Sequence, residues 1–198
     1  MRSQCKGSNR PIAFGLGIVF LLSALILPST ALAYSFNGHK MGSQIWYRPS
    51  VVFQQETKDH LREAMRTWNQ ILPEGRRLCF DSTTHSYGQV PFQDGRSLIY
   101  KEPDSDPSNL ATNYYFKDFF NSSLLVESDI NFNANKSWSN GKLPGCFNVE
   151  TVMLHELGHT VGLGHSQYSY AVMYPTIAAN FLRTSLSSDE INGHNALY

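Results

Sequence analysis

His155-Glu156-Leu157-Gly158-His159-Thr160-Val161-Gly162-Leu163-Gly164-His165 is the stretch on which the reading of this chain turns. On a helix, residues four apart share a face, so His155 and His159 can point imidazole nitrogens at one metal ion. Glu156 lies about 100° further round, within reach of a water on that ion but outside the ligand set. Gly162 stands where the helix must stop, and glycine readily takes the left-handed backbone that turns a chain back. His165 then arrives as third ligand. Three imidazoles leave the fourth position of a tetrahedral zinc open to water, as in a catalytic rather than a structural site. The alternative is a buried amphipathic helix whose histidines are bonded in the core. A bare His-Glu-x-x-His leaves that open, whereas a glycine and a third histidine at the extended spacing argue for the metal.

Beyond His165 comes Ala171-Val172-Met173-Tyr174-Pro175. A methionine followed closely by proline suits a tight turn that sets a polarizable side chain beneath the metal. The two motifs together resemble the metzincin metallopeptidases. Ser166 directly after the third histidine, with the Ala-x-Met-Tyr-Pro turn, is similar to the matrixin branch. Other branches carry a tyrosine where this chain has Pro175, so no tyrosyl ligand is expected. The resemblance implies an α+β, metzincin-like fold: a twisted five-stranded mixed sheet, three helices and a small C-terminal subdomain holding the Met-turn. It also implies a zinc endopeptidase. One catalytic zinc would sit on His155, His159 and His165, and its bound water would attack the peptide carbonyl with Glu156 as general base.

Length and composition set the frame. Arg2, Lys6 and Arg10 precede a largely apolar run over 12–27 and an Ala31-Leu32-Ala33 end, so residues 1–33 read as a signal peptide cleaved after Ala33. An uncleaved anchor is the alternative, although the apolar run is short of the about 20 residues a span needs. Residues 34–198 then form a single catalytic domain, secreted to the extracellular space or periplasm, with no appended domain and no stable membrane insertion expected. Removing 1–33 takes three of the 16 basic and none of the 16 acidic residues, leaving a net charge of −3. That balance argues against nucleic acid as a partner. A monomer is expected. Of the three cysteines, Cys5 leaves with the signal; Cys79 and Cys146 are predicted to form a disulfide, with two buried thiols as the alternative.

Aromatic and β-branched residues predict a strand over 45–53. Leu61, Ala64, Met65, Trp68, Ile71 and Leu72 mark one stripe of a helix over 56–72, ended by Pro73 and Gly75. The residues from 34 to 44 show little that would hold a fold together. Further strands are predicted over 78–81, 97–100, 110–116 and 126–132, with Trp138 as a core anchor. Asn148 is the expected N-cap of a helix over 149–161, and a final helix spans 186–198. Asp104, Asp106 and Asn109 read as turn chemistry; calcium there is possible but not supported.

The matrixin resemblance makes 110–116 the sheet edge above the cleft, where a protein or peptide substrate would add as one more strand, and makes 176–181 a wall of the pocket beyond the scissile bond. Matrixins usually carry a second, structural zinc on histidines. Thr112 and Asn131 stand at the apparent equivalents, so one zinc is expected. No cysteine lies between Ala33 and the first strand, so latency by a cysteine on the metal is not expected. Two other readings remain open: a narrow-specificity metallohydrolase acting on cell-wall peptides, and a non-catalytic zinc-binding recognition protein of the same fold, against which the intact Glu156 argues. His39, His60, His85 and His194 are expected at the surface or locally bonded. Tyr168 and Tyr170 suit substrate contact and packing equally, and Asn121 and Asn135 match the glycosylation acceptor pattern.

Overall fold

Alternation builds the first main strand, β2 (Ile45–Pro49): Ile45, Tyr47 and Pro49 are buried, Trp46 is exposed and Arg48 lies between. The computed structural model describes residues 34–86, 91 and 93–198, all within one compact unit. The signal segment expected over 1–33, with its cleavage point, lies outside the described residues. Among the described residues no helix is long and apolar enough to cross a membrane.

Helix α1 (Gln55–Asn69) buries Leu61, Ala64, Met65 and Trp68, the stripe that its spacing predicts. The chain leaves the helix before Ile71 and Leu72, which still pack on the core from the following turn. Strands β3 (Leu78–Phe80), β4 (Ser97–Glu102), β5 (Ala111–Lys117) and β6 (Leu124–Asn133) complete the expected five. Their order is β3-β2-β4-β6-β5. All pairings are parallel except that of β5 with β6. A sixth strand, β1 (Lys40–Met41), joins the start of β6. It has two residues, too few to carry a period, as do β7 (Trp138–Ser139) and β8 (Phe147–Asn148), which form a separate pair. Trp138 packs edge-on to Phe132 at 5.0 Å, and its indole donates to the Asn133 carbonyl at 2.9 Å.

The inner face of β6 gives Ile130 and Phe132 to the core beneath α1 and α2 (Val149–Val161). Its other face alternates Glu127, Asp129, Asn131 and Asn133, all buried. Such burial is costly without partners. Here each side chain accepts backbone N–H groups: Asp94 and Gly95 on Glu127, Leu98 on Asp129, Glu102 on Asn131 and Asp104 on Asn133. Asp104 and Asp106 cap the N–H groups of Asp106 and Ser108, as turn chemistry requires. Thr112 and Asn131 face each other across β5 and β6. Thr112 donates to Asp104 at 2.6 Å, and Asn131 accepts from the Glu102 N–H at 2.9 Å.

One expectation needs correcting. Cys79 and Cys146 are free thiols, not a disulfide. Cys79 lies on the outermost strand beside Gln44, where burial raises its pKa. Cys146 lies in the turn before α2, and its carbonyl accepts from the Asn180 N–H. An exporting context favours pairing, but only proximity permits it. The histidines outside the motif are locally bonded, as expected, with His39, His85 and His194 buried. His60 pairs with Glu150 across α1 and α2 at 2.7 Å.

Burial, reinforced by Glu127, pushes the Asp129 carboxyl up to about 7. A carboxyl raised in the folded state opposes folding when ionised. The penalty is absent below the ordinary value near 3.8, grows as pH rises and is complete above about 7. Asp129→Asn should therefore match the parent near pH 4 and exceed it by roughly 1–3 kcal/mol above pH 7, read by denaturant unfolding.

Candidate active site

The Asn148 side chain accepts the Thr151 N–H at 2.8 Å and so starts α2 at the expected residue. Val152, Met153 and Leu154 are buried, which turns His155 and His159 toward the open side. Gly162 ends the helix at φ +114°, its N–H reaching the Gly158 and His159 carbonyls. A side chain there is excluded twice, by the backbone angle and because a Cβ would lie 2.2 Å from the His39 carbonyl oxygen.

The reversal brings in His165. One nitrogen from each of His155, His159 and His165 lies within 4.8 Å of the others. The ring centroids are separated by 4.9, 5.3 and 5.0 Å. His155 Nδ1 bonds the Val172 carbonyl at 2.8 Å and His159 Nδ1 the Leu163 carbonyl at 2.9 Å. Those acceptors hold the proton on Nδ1 and leave Nε2 of each ring as an electron-pair donor, the arrangement of a metal-binding histidine. Burial also keeps the rings neutral, with His155 lowered to about 3, His159 to about 4, and His165 lowered as well. This donor set fits a zinc ion. Burial, with the charge of Asp104 added, pushes the neighbouring Glu156 carboxyl up to about 8; a cation at the histidines acts in the opposite direction.

Met173 supports the cluster from below. The Ser166 N–H donates to its carbonyl at 2.8 Å, and its sulfur lies so close to α2 that a Cβ on Gly158 would come within 2.2 Å of it. From helix α3 (Ser188–Leu197), Glu190 accepts the Met173 N–H at 3.0 Å and, with its other oxygen, the Ser187 N–H at 2.8 Å. One carboxylate thus closes a capping box and pins the turn.

A cleft of about 620 Å³ opens over these groups. Its walls are the three histidines, Glu156, Ala111 to Asn113 and Tyr115 of β5, and Tyr174 to Ile177 after the Met-turn. Of the expected 176–181 wall, only Thr176 and Ile177 line it, and Phe181 turns to solvent. Tyr168 and Tyr170 stack on each other at 5.1 Å outside that lining.

Several residues at the site carry no motif. The segment from Ser35, expected to hold little, is laced to the ligand loop: Ser35 Oγ donates to the His165 carbonyl at 2.9 Å, and Asn37 Nδ2 to the Leu163 carbonyl at 2.9 Å. His39 bonds the His159 carbonyl at 3.0 Å. Arg183 lines the cleft and spans the Ala171 and Ser169 carbonyls. Asn113 of β5 donates to the Glu156 carbonyl at 2.6 Å and to Thr160 Oγ1 at 2.8 Å, while accepting from Ser128 Oγ at 2.8 Å. Tyr47 completes this buried network, its hydroxyl 2.8 Å from Ser128 and 2.7 Å from Thr160. Only Glu190 left a local signal, the Ser-x-x-Glu capping pattern; the others act through contacts between separate elements of the fold.

The mixed sheet, the helix with its glycine-reversed third histidine, and the methionine turn beneath them define a metzincin-like fold. The chain belongs to the matrixin family of peptidases, whose sequence profile matches residues 36–198. It is 25% identical over 173 residues to matrix metalloproteinase-19 of Mus musculus, covering 85% of this chain and 31% of that protein. It is 29% identical over 149 residues to the hatching enzyme of Paracentrotus lividus, covering 73% and 23%. Metalloendoproteinase 1 of Glycine max is 36% identical over 73 residues, covering 34% and 24%. The chain thus spans about a quarter to a third of the length of these relatives.

Gly158→Ala should lower stability by roughly 1–3 kcal/mol, because the methyl group must displace Met173 or Trp68; an unchanged melting temperature would contradict the packing. Asn113→Ala removes one hydrogen bond from each of the Ser128 and Thr160 hydroxyls and one from the Glu156 carbonyl, for an expected loss of roughly 1–3 kcal/mol in denaturant unfolding.

Proposed function

We propose that this chain is a secreted zinc-dependent endopeptidase that hydrolyses peptide bonds in proteins or peptides. The observation that carries the reading is the convergence of three imidazole nitrogens within 4.8 Å beside Glu156, in a cleft bounded by an edge strand. His155, His159 and His165 would hold the metal. Bound there, zinc supplies Lewis acidity toward a peptide carbonyl and lowers the pKa of a coordinated water to about 7.

The chain's own groups supply the rest. Among the described residues β5 pairs with β6 alone, so its free edge can take an extended peptide as one more strand. That pairing lays the scissile bond along the cleft floor formed by α2. Asn113 ties β5 to the Glu156 carbonyl and so fixes the height of the bound strand above the helix. Glu156 takes the proton of the attacking water and returns it to the leaving amine. Met173 and Glu190 hold the floor still while this happens. Thr112 and Asn131, already committed to protein hydrogen bonds, leave a single zinc as the expected complement. The family assignment supports export, as does the apolar start of the sequence.

Elemental analysis should find about one zinc per chain, and casein or gelatin cleavage should stop on chelation and return with zinc. Glu156→Gln should keep the zinc and lose at least about 100-fold in rate. Two zinc ions would refute the reading of Thr112 and Asn131, full activity in Glu156→Gln would remove its role, and absence of zinc would overturn the proposal.

A further inference from the structure

The turn joining β5 to β6 carries the most exposed apolar side chains of the described residues. Phe119 is 91% and Phe120 94% exposed, and the two rings meet edge to face at 5.2 Å without folding back on the hairpin. Scattered exposed apolar residues are ordinary. Two adjacent phenylalanines at the end of a rigid hairpin are a concentrated apolar tip.

We propose that this tip docks the domain on a lipid surface by inserting Phe119 and Phe120 into the headgroup and acyl boundary. The turn satisfies most of its own backbone donors. Asp118 accepts the Phe120 and Asn121 N–H groups, each at 2.8 Å. Asn121 accepts the Ser123 N–H through its side chain at 3.1 Å and the Leu124 N–H through its carbonyl at 2.8 Å. The Asp118 N–H donates to the Leu124 carbonyl at 2.8 Å. Five backbone donors around the tip therefore have partners within it, so sinking the rings strips no water from those groups. A protein partner would ordinarily exploit such donors, and it would meet a convex tip rather than a groove. The charges flanking the tip also suit headgroups. Lys117 precedes the turn, its ammonium donating to the Asn37 and Gly38 carbonyls at 3.4 Å, and Lys40 pairs beside Leu124 at its other end. The nearby Asp118 carboxylate is occupied by the turn's own N–H groups. Binding of this kind is peripheral and reversible, unlike a span, and does not depend on the peptidase reading.

The test uses the chain from Tyr34 onward, which holds the whole described core, mixed with phosphatidylcholine vesicles with and without phosphatidylserine. The bound fraction is measured by sedimentation. The wild type should bind both, more tightly with phosphatidylserine at low salt. Phe119→Ser with Phe120→Ser should weaken binding at least about tenfold for each ring removed. Val51→Ser with Val52→Ser, another adjacent exposed pair, should leave it unchanged. Protein that stays free of both vesicle types, or a Phe119, Phe120 double variant that binds as tightly as the parent, would overturn the proposal. So would vesicle-independent slowing of protein cleavage by that variant with short-peptide cleavage intact, which would assign the tip to a protein.

Discussion

A straight helix can aim two imidazoles at a point, but not three. Bringing the third within 4.8 Å demands that the chain stop and reverse within one turn. Gly162 carries that reversal at φ +114°, with the His39 carbonyl occupying the space of its missing side chain. The constraint reaches in both directions. His39 belongs to the stretch that enters β1, and its ring bonds the His159 carbonyl on the other side of the same turn. The histidine cluster therefore depends on a backbone contact between segments more than 120 residues apart, and the rest of the fold holds those segments together.

Polar groups inside the domain do the holding, and they are placed where apolar packing alone would leave distance undefined. Hydrophobic contact is non-directional, so a sheet can slide over a helix at little cost. The network of Tyr47, Ser128, Thr160 and Asn113 removes that freedom by joining β2, β6, β5 and α2 through hydrogen bonds of 2.7 to 3.0 Å. It fixes the separation of the edge strand from the histidine-bearing helix α2, which is the width of the cleft. On the opposite face of β6, the row from Glu127 to Asn133 does the same for the segment above it.

The helix of the site was legible to the residue, from Asn148 to Gly162, because its signals are local: a capping side chain, a period and a glycine. The five main strands were legible within a few residues for the same reason. What stayed hidden was non-local. Strands β1, β7 and β8 exist only as pairings. Asn37, His39 and Asn113 look like ordinary polar residues until the fold brings them to α2. The thiols of Cys79 and Cys146 share a compartment rule but not a neighbourhood, and sequence carries only the rule.

The contacts of the first and last described residues have a consequence for the order of events during synthesis. Ser35 and Asn37 hold the ligand loop, while the Tyr198 hydroxyl donates to the Val161 carbonyl just before Gly162 and accepts the Met41 N–H, both at 2.8 Å. These are among the longest-range contacts in the domain, and contacts of that span form late because the intervening chain must first be ordered. A nascent chain emerging from its N-terminus has Ser35 and Asn37 waiting when the histidine motif appears, but not yet Tyr198. Geometry around the cluster is complete only once Tyr198 has joined Met41 to Val161, so the chain's own topology times the appearance of the site.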